Sequence, residues 1–162
     1  MAKSSKSSKP GSSPPSTARS SATRGEGIGI KYSDKSGGQP GLALVFDEIK
    51  KLMIPYSKGS LVLKGGTDGQ VALITNKPVV IEGRKRDELW FVSMLVQKGY
   101  VGFYYMPVYM NEPVRRQLKP ELLKMLKGKA CFHIKNTDPP ILAQIEEALR
   151  IGYDAYKKMG WI

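Results

Sequence analysis

The stretch KGKACFHIKN, Lys127 to Asn136, holds the only cysteine and the only histidine of the 162-residue chain, two positions apart. A thiol and an imidazole in register could ligate a soft metal, act as a nucleophile and its base, or sit in a core. The segment reads as a strand, so Cys131 and His133 project to one face while Phe132 and Ile134 take the other. A structural zinc site needs four N or S ligands, and no third histidine or cysteine exists to supply them. A nucleophilic pair needs the imidazole within hydrogen-bond reach of the sulfur and a third group to orient it. Neighbouring acids such as Glu121 and Asp138 are arbitrary candidates for that third role. Cys131 and His133 are therefore the weak candidates for a metal or redox site, and a structural role is the favoured reading.

Two further groups could bind something. The aromatic run Trp90, Tyr100, Phe103, Tyr104, Tyr105 and Tyr109 has the spacing of strands, whose rings are usually buried. Tyrosine hydroxyls also want water or a partner, which makes Trp90, Tyr104 and Tyr109 candidate ligand-binding residues. The basic residues Arg84, Lys85, Arg86, Arg115 and Arg116 lie in turns and short helices. They read as a solvated rim, with phosphate or nucleic-acid contact as the alternative. No paired carboxylates, dinucleotide fingerprint or phosphate loop appears. GlyGlyThrAspGly at 65–69 lacks the Lys-Ser/Thr ending and leads into a β-branched strand, so it is a hairpin turn. An enzyme is the less favoured class, and the sequence leaves any cofactor unknown.

The positioning elements follow from periodicity. Hydrophobic residues make up 41% of the chain, enough for one domain. Residues 1–40 are rich in Ser, Gly, Pro, Lys and Arg; seven basic residues against Glu26 and Asp34 give this segment +5 of a total formal charge of +12. Its first 25 residues contain no acid and, after Met1, no large apolar side chain. A disordered basic tail is expected, with a nucleic-acid-binding arm or a transit peptide as alternatives. Domain residues 41–162 begin with a helix over Gly41 to Met53, whose apolar face is Leu42, Val45, Phe46, Ile49, Leu52 and Met53. Strands are expected at SLVLKG and QVALIT, at Pro78 to Glu82, Leu89 to Val96 and Tyr100 to Met106, with a charged turn holding Arg84 to Arg86. The connections are too short for crossovers, so the sheet must be largely antiparallel. Both faces of the Leu89 and Tyr100 strands are apolar: either helices cover both sides, or one side is left as a groove rich in Trp and Tyr. A short helix is expected over Pro120 to Leu126, then the Cys131 strand, then a helix capped by Asp138 with the face Ile141, Ile145, Leu149, Tyr153 and Tyr156.

The order of GYVGFYYMP, KGKACFHIK and the terminal GWI resembles the YdhG-like family, domain of unknown function 1801. The resemblance covers about Leu42 to Ile162. It implies an α+β fold, an antiparallel sheet of about five to six strands flanked by N- and C-terminal helices, and it brings no activity with it. That fold is similar to the frataxins, which hold iron weakly on carboxylates of an acidic first helix. Here the first helix offers only Asp47 and Glu48, followed by Lys50 and Lys51, too few oxygen ligands for a hard cation. The expected class is a small, soluble, cytoplasmic, non-enzymatic binding or carrier domain for a small ligand or metal. The alternative is a basic nucleic-acid-associated protein using the tail and the Lys/Arg rim. A charge of +12 implies non-specific polyanion affinity in either case, and no apolar run is long enough to span a membrane.

Overall fold

The computed structural model describes residues 31–162. The tail expected over residues 1–40 lies outside the described residues as far as position 30. Residues 31–39 are described, and they are joined to the domain. The Tyr32 hydroxyl donates to the Val96 carbonyl at 2.8 Å, and Lys35 Nζ donates to the Gln97 side chain at 2.8 Å. Ordered contacts thus begin before Pro40.

The first helix, α1 (Pro40–Met53), starts with Pro at its first position, where no N–H is needed. Gln39 does not cap it with its side chain. The Gln39 amide instead donates to the Gln97 carbonyl and accepts from Gly99 N–H at 2.9 Å, stitching the helix start to a strand turn. Val45, Phe46, Ile49 and Met53 are its buried stripe. A short 3-10 turn containing Pro55 ends it.

Six strands form one antiparallel sheet in the order β1 (Leu61–Gly65), β2 (Gln70–Thr75), β5 (Leu89–Gln97), β6 (Tyr100–Tyr105), β8 (Cys131–Ile134) and β7 (Leu126–Lys127). The β5–β6 turn is Lys98-Gly99, with Gly99 at φ 87° supplying the left-handed conformation that a two-residue hairpin requires. β3 (Val79–Ile81) and β4 (Arg84–Arg86) pair separately as a small hairpin. Arg84, Lys85 and Arg86 are thus a strand, not the expected turn; the reversal falls at Glu82-Gly83, both at positive φ.

Four helices complete the α+β fold. α2 (Met106–Met110) and α3 (Glu112–Gln117) follow β6 directly and were not expected. Asn111 caps α3 by accepting from Val114 N–H, and Pro113 occupies its first turn. α4 (Pro120–Leu123) stops short of the expected Leu126, because Leu126 pairs instead with Phe132 across a turn. α5 (Pro139–Lys158) starts after Asp138 as expected, although the Asp138 side chain makes no capping bond. Its buried side is Ile141, Ile145, Leu149 and Tyr156, with Tyr153 half-buried.

The helices lie on one face of the sheet. Val71, Leu73, Met94, Val96, Val101, Phe103, Tyr105, Phe132 and Ile134 join the buried residues of α1, α2, α3 and α5 in a single core. The Tyr105 hydroxyl donates to the Ala148 carbonyl of α5, and the Tyr156 hydroxyl donates to the Trp90 carbonyl at 2.8 Å. Each bond fixes a helix to a central strand.

Candidate functional site

Alternation along the strands sends a second set of side chains to the opposite face. The apolar cluster there, Ala72 and Ile74 with Trp90 packed on it, includes no helical residue. Between the two arrangements open to an all-apolar strand pair, the structure has one helical layer and one face that no described helix covers. Gln70, Ala72, Ile74, Ser93 and Leu95 are buried at its centre, and its accessible part is the half-buried set Trp90, Tyr100, Tyr104, Cys131 and His133.

The ladder fixes how that face is assembled. One row runs Lys64, Ala72, Ser93, Tyr104, Cys131, Lys127 across all six strands. The next runs Gln70, Leu95, Gly102, His133. Tyr100 stands at the following position of β6. Its ring stacks on His133 with centroids 3.8 Å apart and planes 11° from parallel. Gly102 makes room for Tyr104: a Cβ there would lie 3.0 Å from Tyr104 Cε2, so the Tyr104 ring lies over the Gly102 backbone.

Tyr104, Tyr100 and Trp90 are half-buried, as are Cys131 and His133. The Tyr104 hydroxyl is pushed up to about 12, first by burial and then by the neighbouring Cys131 thiol and Tyr100, with Gln97 offsetting part of the shift. Burial also raises the Cys131 thiol, which the Tyr104 hydroxyl partly offsets. A thiol held above its ordinary value is protonated at neutral pH and is a poor nucleophile. His133 is engaged with Tyr100 instead of the sulfur. The face therefore holds stacking surfaces and hydroxyl, amide and imidazole groups, but no activated nucleophile.

The candidate residues divide accordingly. Trp90 and Tyr104 lie together on the uncovered face, with Cys131 and His133. Tyr109 does not; it is exposed on α2, with Lys129 Nζ 5.3 Å from its ring centre. Arg84, Lys85 and Arg86 are exposed on β4, and Arg115 and Arg116 are exposed in the last turn of α3. Lys85 approaches Asp87 at 3.7 Å and Arg116 approaches Glu112 at 3.5 Å, both in solvent, where such pairs contribute little. Among the described residues no group of three or more His, Cys, Asp or Glu could hold a metal ion. On α1, Glu48 accepts a bond from the Thr137 hydroxyl and Asp47 is exposed.

Sequence reasoning missed the Tyr100–His133 stack and the role of Gly102. A glycine inside a strand of large rings was the available signal for a close approach.

Comparison with protein families, curated proteins and solved structures finds no match for this chain. Among the described residues no helix is long and apolar enough to cross a membrane.

Proposed function

We propose that this is a non-enzymatic binding domain whose site is the uncovered sheet face, and that it takes a flat, anionic organic ligand. The observation that carries the reading is the half-exposed Tyr100–His133 stack beside Tyr104, on a face no described helix covers. Such rings offer large contact area at low cost in side-chain freedom, with polar edges to orient a ligand. The Cys131 thiol, raised by burial, and His133, stacked on Tyr100, support binding over thiol catalysis at this face. Membership of the YdhG-like family is part of the proposal, supported by the order of its motifs and by the α+β architecture. A second reading, nucleic-acid association through the tail and the Arg84 to Arg86 and Arg115 to Arg116 rim, is favoured by the exposure of those five side chains.

The test uses Trp161→Phe, which leaves Trp90 as the one indole of two. Adenosine monophosphate supplies a flat ring and an anion, and ribose phosphate is the control without a ring. Saturable quenching of Trp90 by the first alone, weakened by Tyr100→Ala and by Gly102→Ala, is the expected result. Equal responses to both compounds, or binding indifferent to Tyr100, would refute the site.

A further inference from the structure

We infer that the occupant of the uncovered face is a single-stranded nucleic acid, its bases stacked on the rings and its phosphates held by lysines at the margin. The inference rests on the binding-domain reading above and names the ligand class.

Three observations point the same way. First, the ring-bearing positions form a track, not a single pocket. Trp90 on β5, three residues along from the Ser93 that pairs with Tyr104, Tyr104 on β6 and the Tyr100–His133 pair on β6 and β8 are spread along one face over three adjacent strands. Tyr100 and Tyr104 are four residues apart, so their Cα atoms are separated by roughly 14 Å at the usual strand rise. One small molecule does not span such a track, whereas a chain of bases does. Every base has a π-face, and unpaired bases stack readily on aromatic side chains projecting from a sheet.

Second, the margin of this face is cationic. Lys127 ends the row through Tyr104, Lys135 follows directly after the end of β8, and Lys98 sits in the turn before Tyr100. All three are exposed, and none has a carboxylate within ion-pair distance among the described residues. Lys64, at the far edge, is held by Glu88 at 2.9 Å. Lys98 and Lys127 thus stand without ion pairs among the described residues at the β6–β8 end of this face, where the stacked pair lies.

Third, charge selects among occupants. Residues 41–162 carry 19 Lys and Arg against 12 Asp and Glu. The segment over residues 1–40 is also basic, at +5, and a second copy of the chain brings the same sign. Like charge disfavours a second copy where a polyanion is attracted. Residues 31–39, although basic, dock on the β5–β6 end through Tyr32 and Lys35 on Val96 and Gln97, and they leave the Tyr100, Tyr104 and His133 rings half-buried. Duplex is disfavoured as well, because its bases are already stacked and its phosphate surface cannot reach rings that lie down on a sheet.

The experiment measures anisotropy of a short fluorescein-labelled oligoadenylate against the full chain, over a range of salt. Its duplex with oligouridylate, heparin and adenosine monophosphate serve as comparisons. The single strand should bind tenfold or more tightly than the duplex, and Tyr100→Ala should weaken it tenfold or more while leaving heparin unchanged. Tyr100→Phe, which keeps a ring, should retain binding and controls for folding. Lys127→Ala and Lys135→Ala should each reduce the slope of log affinity against log salt by about 0.7. If duplex and heparin compete as well as the single strand, or Tyr100→Ala changes nothing, the affinity is that of charge alone and the inference fails. If adenosine monophosphate quenches Trp90 but the oligonucleotide binds no tighter, the binding-domain reading stands and only its extension to nucleic acid falls.

Discussion

Gly152 on α5 faces the sheet at its closest approach, and replacing it with alanine tests whether that approach holds the fold together. An added Cβ would lie 2.3 Å from Tyr105 Oη, 2.8 Å from Pro107 Cγ and 2.9 Å from Tyr105 Cε2. None of these atoms ends a flexible side chain. Tyr105 is fully buried and its hydroxyl donates to the Ala148 carbonyl, one helical turn before Gly152. Overpacking a tight site costs ~1–3 kcal/mol. Pushing the hydroxyl off its acceptor leaves a buried polar group unpaired, at ~1–3 kcal/mol more. Alanine returns about 1 kcal/mol through its better helix propensity. A net loss of about 3 kcal/mol follows, enough to lower the melting temperature by roughly 10 °C in a chain of this size. Urea denaturation followed by circular dichroism measures it. Tyr105→Phe removes the nearest atom, so the double variant should cost less than the sum of the two singles. A Gly152→Ala protein as stable as the parent, or more stable as propensity alone expects, would refute the reasoning.

Other outcomes can be checked together. Tyr105 and Tyr156 are raised by burial, as is Tyr104 to about 12, from an ordinary 10.0. Above pH 10 the unfolded chain loses protons that the native state retains, so stability should fall between about pH 10 and 12; a flat urea midpoint across that window would contradict it. Cys131 should react slowly with thiol reagents in the native protein and readily in urea, since its thiol is half-buried and raised. Tyr32→Phe should lower stability by about 1 kcal/mol through loss of the bond to Val96, and no loss would show that residues 31–39 are not part of the folded unit. Ferrous iron, titrated without oxygen, should leave the melting temperature unchanged; a saturable isotherm abolished by replacing Asp47 and Glu48 would restore the frataxin-like expectation.

Much of the fold was legible because its signals are local. The three- and four-residue spacing of Val45, Phe46, Ile49 and Met53 gave α1, and glycines at 65, 66 and 69 gave the β1–β2 turn at the right place. What escaped depended on partners distant in the chain. Leu126 continues a helical pattern and becomes a strand only because Phe132 lies opposite it. Arg84 to Arg86 has nothing of a strand in its composition; it is extended because Glu82-Gly83 turns it back on Val79 to Ile81. α2 and α3 were missed although Asn111 and Pro113 mark a helix start, because the strand idiom of Tyr100 to Tyr105 was carried too far. Of the candidate site, Trp90 and Tyr104 were readable as ring-bearing strand positions, but the stacking of Tyr100 on His133 needs the β6–β8 pairing, which joins residues some thirty positions apart.

Which face of the sheet meets water is decided by a count of elements, not by the strands. β5 and β6 are apolar on both sides, so their alternation is silent on the matter. Six strands at a spacing of about 4.8 Å make a sheet some 24 Å wide, and two helices packed about 10 Å apart cover one such surface. The described chain has two long helices, α1 and α5, and both are spent on the Phe103 and Phe132 side. The short helices α2 and α3 extend the same layer by packing against α5. No described helix is left for the second face. That is why Cys131 and His133, which share the face of Tyr104, remain half-exposed while Phe132 and Ile134 between and beside them are fully buried. A chain selected only to fold would place small polar residues on a face left to water. This one places a stacked Tyr100–His133 pair there, Tyr104 over a glycine that admits its ring, and lysines without ion-pair partners among the described residues at the margin. Those choices cost exposed apolar area and unpaired charge, and a ligand that stacks and carries negative charge compensates both.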